Sequence, residues 1–469
     1  MPRHGFLASA IGLAGAASLV LAPAPSAVAA PAPASPAAAA PAAPEQAAVP
    51  GSTQSLPLVP LAPAARSHGH RRKAGPRFAQ GLHRSHVRRF SLLGVVWHDP
   101  GTELRGQVQA RTRSVATGRW SAWQDVDTHN ADHGADPGTA ERAAGRVRGA
   151  TAPLWVGDSD GVDVRVRAET GRRAAPLPSG LRLELVDPGS ESAPAAGAPA
   201  GQGRTGQGRT GQGRTGDASE AAWAASAANA ELVPQGATVI PALNRQDTEH
   251  EMLALRGRYL TEHQRRNPYV GPRPSIVTRS GWGADESLRE PDFAYTDTVK
   301  AVFVHHTATG NNYRCAESAS IIRGIYRYHV KSMGWRDIGY NFLVDKCGKI
   351  YEGRAGGVAK PVMGAHTLGF NTDSTGVAVI GSFDETRPAS AALKAVERLT
   401  AWKLGLYGVD PRGTTYLTSA GGNLYPQGTS ARLNVISGHR DGFATTCPGW
   451  QLYARLGTIR SAAARLQGR

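Results

Sequence analysis

The sequence predicts two folded domains joined by disordered linkers. One is an α/β domain over residues 275–469, with a central mixed sheet flanked by helices; the other is a separate all-β, sandwich-like domain over 90–187. Three observations carry this reading. From Ser275 onward strand-like runs alternate with helix-like ones, which indicates a central sheet covered by helices. From Phe90 to Val186 there are only short Val-, Leu- and Trp-rich runs separated by turn residues, the texture of a small sandwich. Elsewhere Ala, Pro, Gly and Arg dominate, a composition that cannot bury enough apolar area to offset chain ordering.

Taken in order, residues 1–29 read as an export signal. Arg3 and His4 precede an apolar run from Phe6 to Leu21, and small residues come next with an A-x-A match at Ala27-Val28-Ala29. The run falls short of the ~20 residues a spanning helix needs, and Pro23 and Pro25 break the chain just beyond it. Residues 30–89 read as a disordered linker, Ala/Pro-rich and then basic. Its histidines, such as His68, His70, His83 and His86, have no scaffold to hold a metal and are read as solvated.

In the β domain the expected strands are Ser91–Trp97, Leu104–Arg111, Trp120–Val126, Ala152–Val156, Val162–Arg167 and Leu181–Val186. Asp158-Ser159-Asp160-Gly161 is read as a turn between two of them. Trp97, Trp120, Trp123 and Trp155 could stack on sugars, but packing within the sandwich is the favoured reading. Residues 188–274 read as a flexible linker and connector. They hold three copies of Gly-Gln-Gly-Arg-Thr, too short a period for a solenoid, and a helical piece over Asp247–Gln264.

In the C-terminal domain Val299–Val304, Tyr340–Val344, Lys349–Tyr351, Val377–Ile380 and Leu433–Ile436 are expected strands. Glu317–Val330, Ala389–Leu406 and Trp450–Leu466 are expected helices, the first with Ile321, Ile322, Ile325 and Tyr326 on one face. His329 follows that stripe and is read as structural.

The net charge is +16. An export signal argues against nucleic acid as the partner, and no nucleic-acid motif is present. Electrostatic attraction to anionic wall polymers is one reading of the charge; arginines in solvated linkers are the other. There are three cysteines, Cys315, Cys347 and Cys447, an odd number for an exported chain. One disulfide plus one metal ligand would use all three. The strand Val302–Val304 runs into His305-His306, Asn434–Ile436 runs toward His439, and Cys447 lies close behind. Two imidazoles and a thiolate suit zinc, and three protein ligands leave a fourth position for water.

Six segments resemble one family in the right order. They are Arg279-Ser280-Gly281-Trp282-Gly283-Ala284, Val304-His305-His306-Thr307-Ala308, Gly334 to Phe342, Ile350 to Arg354, Gly364-Ala365-His366, and Gly438-His439-Arg440-Asp441 through Cys447-Pro448-Gly449. The region 279–455 is similar to peptidoglycan recognition proteins and type 2 N-acetylmuramoyl-L-alanine amidases. The resemblance covers about two fifths of the chain and says nothing of the N-terminal part. It implies a Zn2+ ion held by His305, His439 and Cys447, with Tyr340 and Thr445 as catalytic residues. It implies that His306, Arg354, His366 and Asn371 contact the muramyl peptide; Arg354 could fork onto a stem-peptide carboxylate or simply be solvated. Cys315 and Cys347 are then the remaining pair, whose bridge would contribute roughly 3 kcal/mol. Members lacking the zinc cysteine bind without cutting. Since Cys447 is present, zinc-dependent cleavage of the muramyl–L-alanine amide is the leading expectation, with non-hydrolytic recognition as the alternative. A wall-anchored adhesin is weaker, because the C-terminus lacks a sorting motif. Bacterial peptidoglycan is the expected partner, and the expected location is secreted and cell-wall associated.

Overall fold

Alternation along strand Ala301–His306 separates two layers in the computed structural model, which describes residues 51–61, 79–170, 175–189 and 213–469. Side chains of successive strand residues point to opposite faces. Val302 and Val304 therefore join Val344, Val377 and Val379 beneath helices Ser390–Gly405 and Leu456–Gln467. Leu343 and Ala378 face the other way, toward helix Ser318–Arg327. The expected export signal and most of the Gly-Gln-Gly-Arg-Thr repeats lie outside the described residues.

The C-terminal sheet has seven strands and is mixed. Ala301–His306 lies one strand in from an edge, parallel to both its neighbours, Ser374–Val379 and the edge strand Ile436–Gly438. Phe342–Val344 is parallel to Ser374–Val379 and antiparallel to Ile350–Glu352. Ile276–Val277 and Val239–Ile240 complete the far edge. Three strands thus end on the same side, and in such open sheets ligands bind beyond the carboxyl ends of the strands.

The stretch read as a connector is more ordered than expected. Helices Gly213–Ala227 and Arg245–Arg256 and strand Val239–Ile240 lie within 188–274. Ile240 and Met252 are buried in the main core, so this segment is anchored by apolar burial that its polar composition obscured. The expected helix over Asp247–Gln264 breaks at Gly257–Tyr259 and restarts at Glu262, where Thr261 and Gln264 form a capping box.

The N-terminal sheet has nine strands with all-antiparallel pairing. Two expected strands are one. Leu154–Ala168 is continuous through Asp158–Gly161, with register shifts where Phe90 and Ser114 meet it. The polar run is therefore a bulged part of a strand, not a turn. Ser52–Pro57, Val59–Pro60 and Gln80–Arg84, all inside the stretch read as linker, are also strands. Ser52–Pro57 is a polar edge strand held by six register pairs to Arg182–Asp187, a non-local partner that local composition does not reveal. Trp97 and Trp155 are buried, as the packing reading expects, while Trp120 and Trp123 lie under the Arg111 guanidinium.

The two halves share a core. Leu92, Val96, Trp155 and Val186 pack with Ile321, Ile322 and Ile325 of helix Ser318–Arg327. Each fully buried side chain of this size stabilises by about 1.5–3 kcal/mol, so the interface is a fused one and not a hinge. Tyr328 reinforces it by donating to the Thr151 carbonyl at 3.1 Å. Cys315 and Cys347 form a disulfide that ties the start of this helix to the Phe342–Glu352 hairpin.

Candidate metal centre

His305 and His306 are the last two residues of strand Ala301–His306. Ile436–Gly438 delivers His439 at its own end, in a short turn whose entry is fixed by Gly438 N–H donating to Asp441 Oδ2 at 2.8 Å. The chain returns to Cys447, whose carbonyl accepts from Arg440 N–H at 3.0 Å. Cys447 N–H donates to Thr445 Oγ1 at 3.2 Å, and Cys447 Sγ lies 3.8 Å from His305 Nδ1. His305 and His439, far apart in sequence, thus converge because parallel strands end together, and the turn after His439 adds Cys447.

The hydrogen bonds orient both imidazoles. His305 Nε2 faces His366 Nδ1 at 3.2 Å and Thr367 Oγ1 at 3.4 Å, leaving Nδ1 turned to Cys447. His439 Nε2 lies 3.2 Å from the Asp132 carbonyl, and its buried Nδ1 has no hydrogen-bond partner. Partners of this kind on the far nitrogen are how proteins aim histidines at metals. Burial holds His305 well below the ordinary imidazole range and His439 down to about 3, so both stay neutral and able to ligate. Burial likewise pushes the Cys447 thiol up; a bound cation would reverse that.

A fourth residue joins them, and sequence reasoning missed it. His133 comes from the β domain, in the segment 127–148 between strands Gln124–Val126 and Gly149–Ala150. Ligand atoms of His133, His305, His439 and Cys447 all lie within 4.8 Å of one another, and all four residues are buried. His133 Nδ1 is 2.9 Å from Asp132 Oδ1, while its buried Nε2 has no partner. An unpartnered buried imidazole nitrogen is costly unless something fills the space. Two such atoms facing a thiol and another imidazole fit a tetrahedral divalent ion of the zinc type. The available signal was length: structureless loops seldom exceed about 12–15 residues without a function.

The other expected residues also surround this point. The Tyr340 ring packs on His305 at 5.6 Å and on His133 at 5.8 Å, and burial pushes its phenol well up, keeping it protonated. Thr445 is half-buried beside Asp132. His306 accepts from Phe383 N–H at its Nδ1, 3.3 Å away. Asn371 accepts from His366 N–H and donates to Asp136 Oδ1 at 2.6 Å. Arg354 is neither solvated nor free. Its two terminal nitrogens fork onto Glu141 Oε1 and Oε2, both at 2.9 Å, and its Nε donates to the Ile338 carbonyl. His329 accepts from Gly339 N–H at 3.1 Å and stacks near Trp335, a structural position.

A mixed α/β domain with a buried His/Cys cluster beside its strand ends is a candidate metal-binding domain. Residues 295–450 match the family model for N-acetylmuramoyl-L-alanine amidase. Residues 36–201 match that for an N-terminal galactose-binding domain-like region, which extends the β domain upstream of residue 90. The chain is 31% identical to peptidoglycan recognition protein 1 of Bos indicus over 38% of its own length and 80% of that protein. It is 40% identical to peptidoglycan-recognition protein LE of Drosophila melanogaster over 27% of itself, spanning 35% of that relative. It is 32% identical to human N-acetylmuramoyl-L-alanine amidase over 39% of itself, spanning 28% of that one. The chain belongs to the peptidoglycan recognition protein and N-acetylmuramoyl-L-alanine amidase family.

Proposed function

We propose that the chain is an exported, wall-associated, zinc-dependent N-acetylmuramoyl-L-alanine amidase. The observation that supports this most is the convergence of His305, His439 and Cys447, with each imidazole aimed by a partner on its far nitrogen. Zinc held there would supply Lewis-acid polarisation of a water and of the scissile carbonyl. The reaction adds water across the lactyl–L-alanine amide: the new C–O bond forms, the C–N bond breaks, and the leaving amine takes a proton. Tyr340, kept protonated by burial, is our candidate for donating to the carbonyl oxygen and for relaying that proton, and the Thr445 hydroxyl is the second donor. Arg354, His306, His366 and Asn371 are the residues we assign to contact with the muramyl peptide. Among the described residues no helix is long and apolar enough to cross a membrane.

The test is to incubate muramyl peptide with the full chain and with its His133→Ala variant, and to identify new termini by mass spectrometry. A new L-alanine amino terminus, lost with chelator and with Cys447→Ala, is expected. Intact substrate with tight binding in every protein would mean recognition without hydrolysis.

A further inference from the structure

We propose that His133 is a fourth protein ligand to the metal, so that this fold is a latent form whose segment 127–148 must withdraw before substrate enters. The proposal rests on the amidase reading and adds its regulation. Catalytic zinc keeps a position open for water, whereas a site closed by four protein ligands does not. Here His133, with its Nε2 unpartnered, joins His305, His439 and Cys447 in one cluster whose ligand atoms all lie within 4.8 Å of one another. The His133 ring lies 4.6 Å from that of His439 and 5.4 Å from that of His305, inside the ligand set and not behind it.

The same segment occupies residues assigned to the muramyl peptide. Glu141 takes the Arg354 fork and also accepts from Arg336 N–H at 3.2 Å. Asp136 accepts from Gly369 N–H at 2.7 Å and from Asn371 N–H at 3.1 Å. The Gly134 carbonyl accepts from Asn371 Nδ2 at 2.9 Å, and the Asp132 carbonyl from Leu368 N–H at 2.9 Å. Two carboxylates and two backbone carbonyls thus meet donors that a peptide bearing carboxylates would also use. Arg354 cannot hold Glu141 and a substrate carboxylate in one fork.

Withdrawal is a local event. The β domain stays, because its Leu92, Val96 and Val186 are part of the shared core. The segment is held by these polar contacts and by Ala135 and Val147, its two residues in the shared core, and it borders open space. A cavity of about 670 Å3 is lined by Glu103, Arg105, His129, Asp132 and Thr445. A second of about 460 Å3 is lined by Asp127, His129, Ser382 and Thr446.

The experiment uses the full chain with cobalt(II) in place of zinc, titrated with azide while the visible absorption is followed. The wild-type spectrum is expected not to change with azide, and that of His133→Ala to change. Zinc-edge X-ray absorption of the wild-type chain needs no variant: three nitrogens and one sulfur are expected. An oxygen in place of one nitrogen gives the fourth position to solvent or to Asp132 and overturns the assignment. Hydrolysis of muramyl peptide is expected to rise on the order of tenfold or more in His133→Ala, because activity scales with the open fraction. Wild type and variant equally open to azide would overturn the latent form and leave the amidase reading standing. An azide-closed wild type and an azide-open variant, neither of which hydrolyses, would sink the amidase reading and leave the four-ligand site. A closed wild type that hydrolyses as fast as the variant would show that the segment does not block the site.

Discussion

The candidate metal centre is built from two halves of different construction. His305 and His439 sit at the ends of strands whose other residues, Val302, Val304 and Ile436, are fully buried in the main core, and Cys447 lies in the turn that follows His439. Moving either histidine means disturbing a sheet. Asp132, His133, Asp136 and Glu141 lie on one loop that makes no ladder and reaches its partners through side chains and a few carbonyls. The first half is held by many small packing energies that add up, the second by buried polar contacts together with Ala135 and Val147 in the shared core. Rigidity on one side and removability on the other suit a site that must be preformed yet closed.

The largest expected effect comes from breaking the strongest of those polar contacts. Arg354 and Glu141 are 4% and 5% exposed, so their ion pair is desolvated. Removing one partner of a buried pair leaves an uncompensated charge and costs about 3–5 kcal/mol, whereas replacing both by apolar residues is often neutral. Glu141→Ala should therefore lower the unfolding free energy by roughly that amount, read by denaturant titration. Glu141→Leu combined with Arg354→Met should recover most of it. Equal losses from the single and the double change would mean that the fork contributes packing and not charge compensation.

Much of the rigid half was legible in the sequence, and little of the removable half. The strand endings at His305 and His439 could be read because apolar runs stop there and polar motifs begin. The disulfide followed once Cys447 had a role. Ser52–Pro57 could not be read, since its first four residues are polar and the segment owes its extended form to Arg182–Asp187. Leu154–Ala168 was read as two strands because Asp158–Gly161 carries the residues of a turn, yet pairing on both sides keeps it extended. His133 has no motif around it. Its neighbour Asp132 meets His439 across 307 positions, a proximity created only when the two domains share a core.

A smaller effect tests how the rigid half aims its ligands. His366 Nδ1 lies 3.2 Å from His305 Nε2 and shares Thr367 Oγ1 at 3.0 Å. Loss of such a partner typically costs 10–100-fold in metal affinity. His366→Phe should weaken zinc binding by about that factor in chelator competition, with the melting temperature of the metal-free protein much less changed. An affinity within about twofold of wild type would mean that the strand alone orients His305.

The smallest effect concerns pH and belongs to the loop. Burial raises the Asp136 carboxyl from 3.8 to about 6, although Gly369 and Asn371 donate to it. A raised folded-state value means that the docked loop binds a proton more tightly than the free loop. The stabilisation from this group is therefore complete below the unfolded value and is lost as pH rises through about 6. The slope is bounded by about 1.4 kcal/mol per pH unit. Hydrogen exchange of amides 131–141 in the metal-free chain, corrected for intrinsic rates, should show protection falling from pH 5 to pH 7. Asp136→Asn should flatten that fall, because its amide is neutral throughout. A fall of the same size in the variant would show that the pH response does not come from the carboxyl that Asn371 holds.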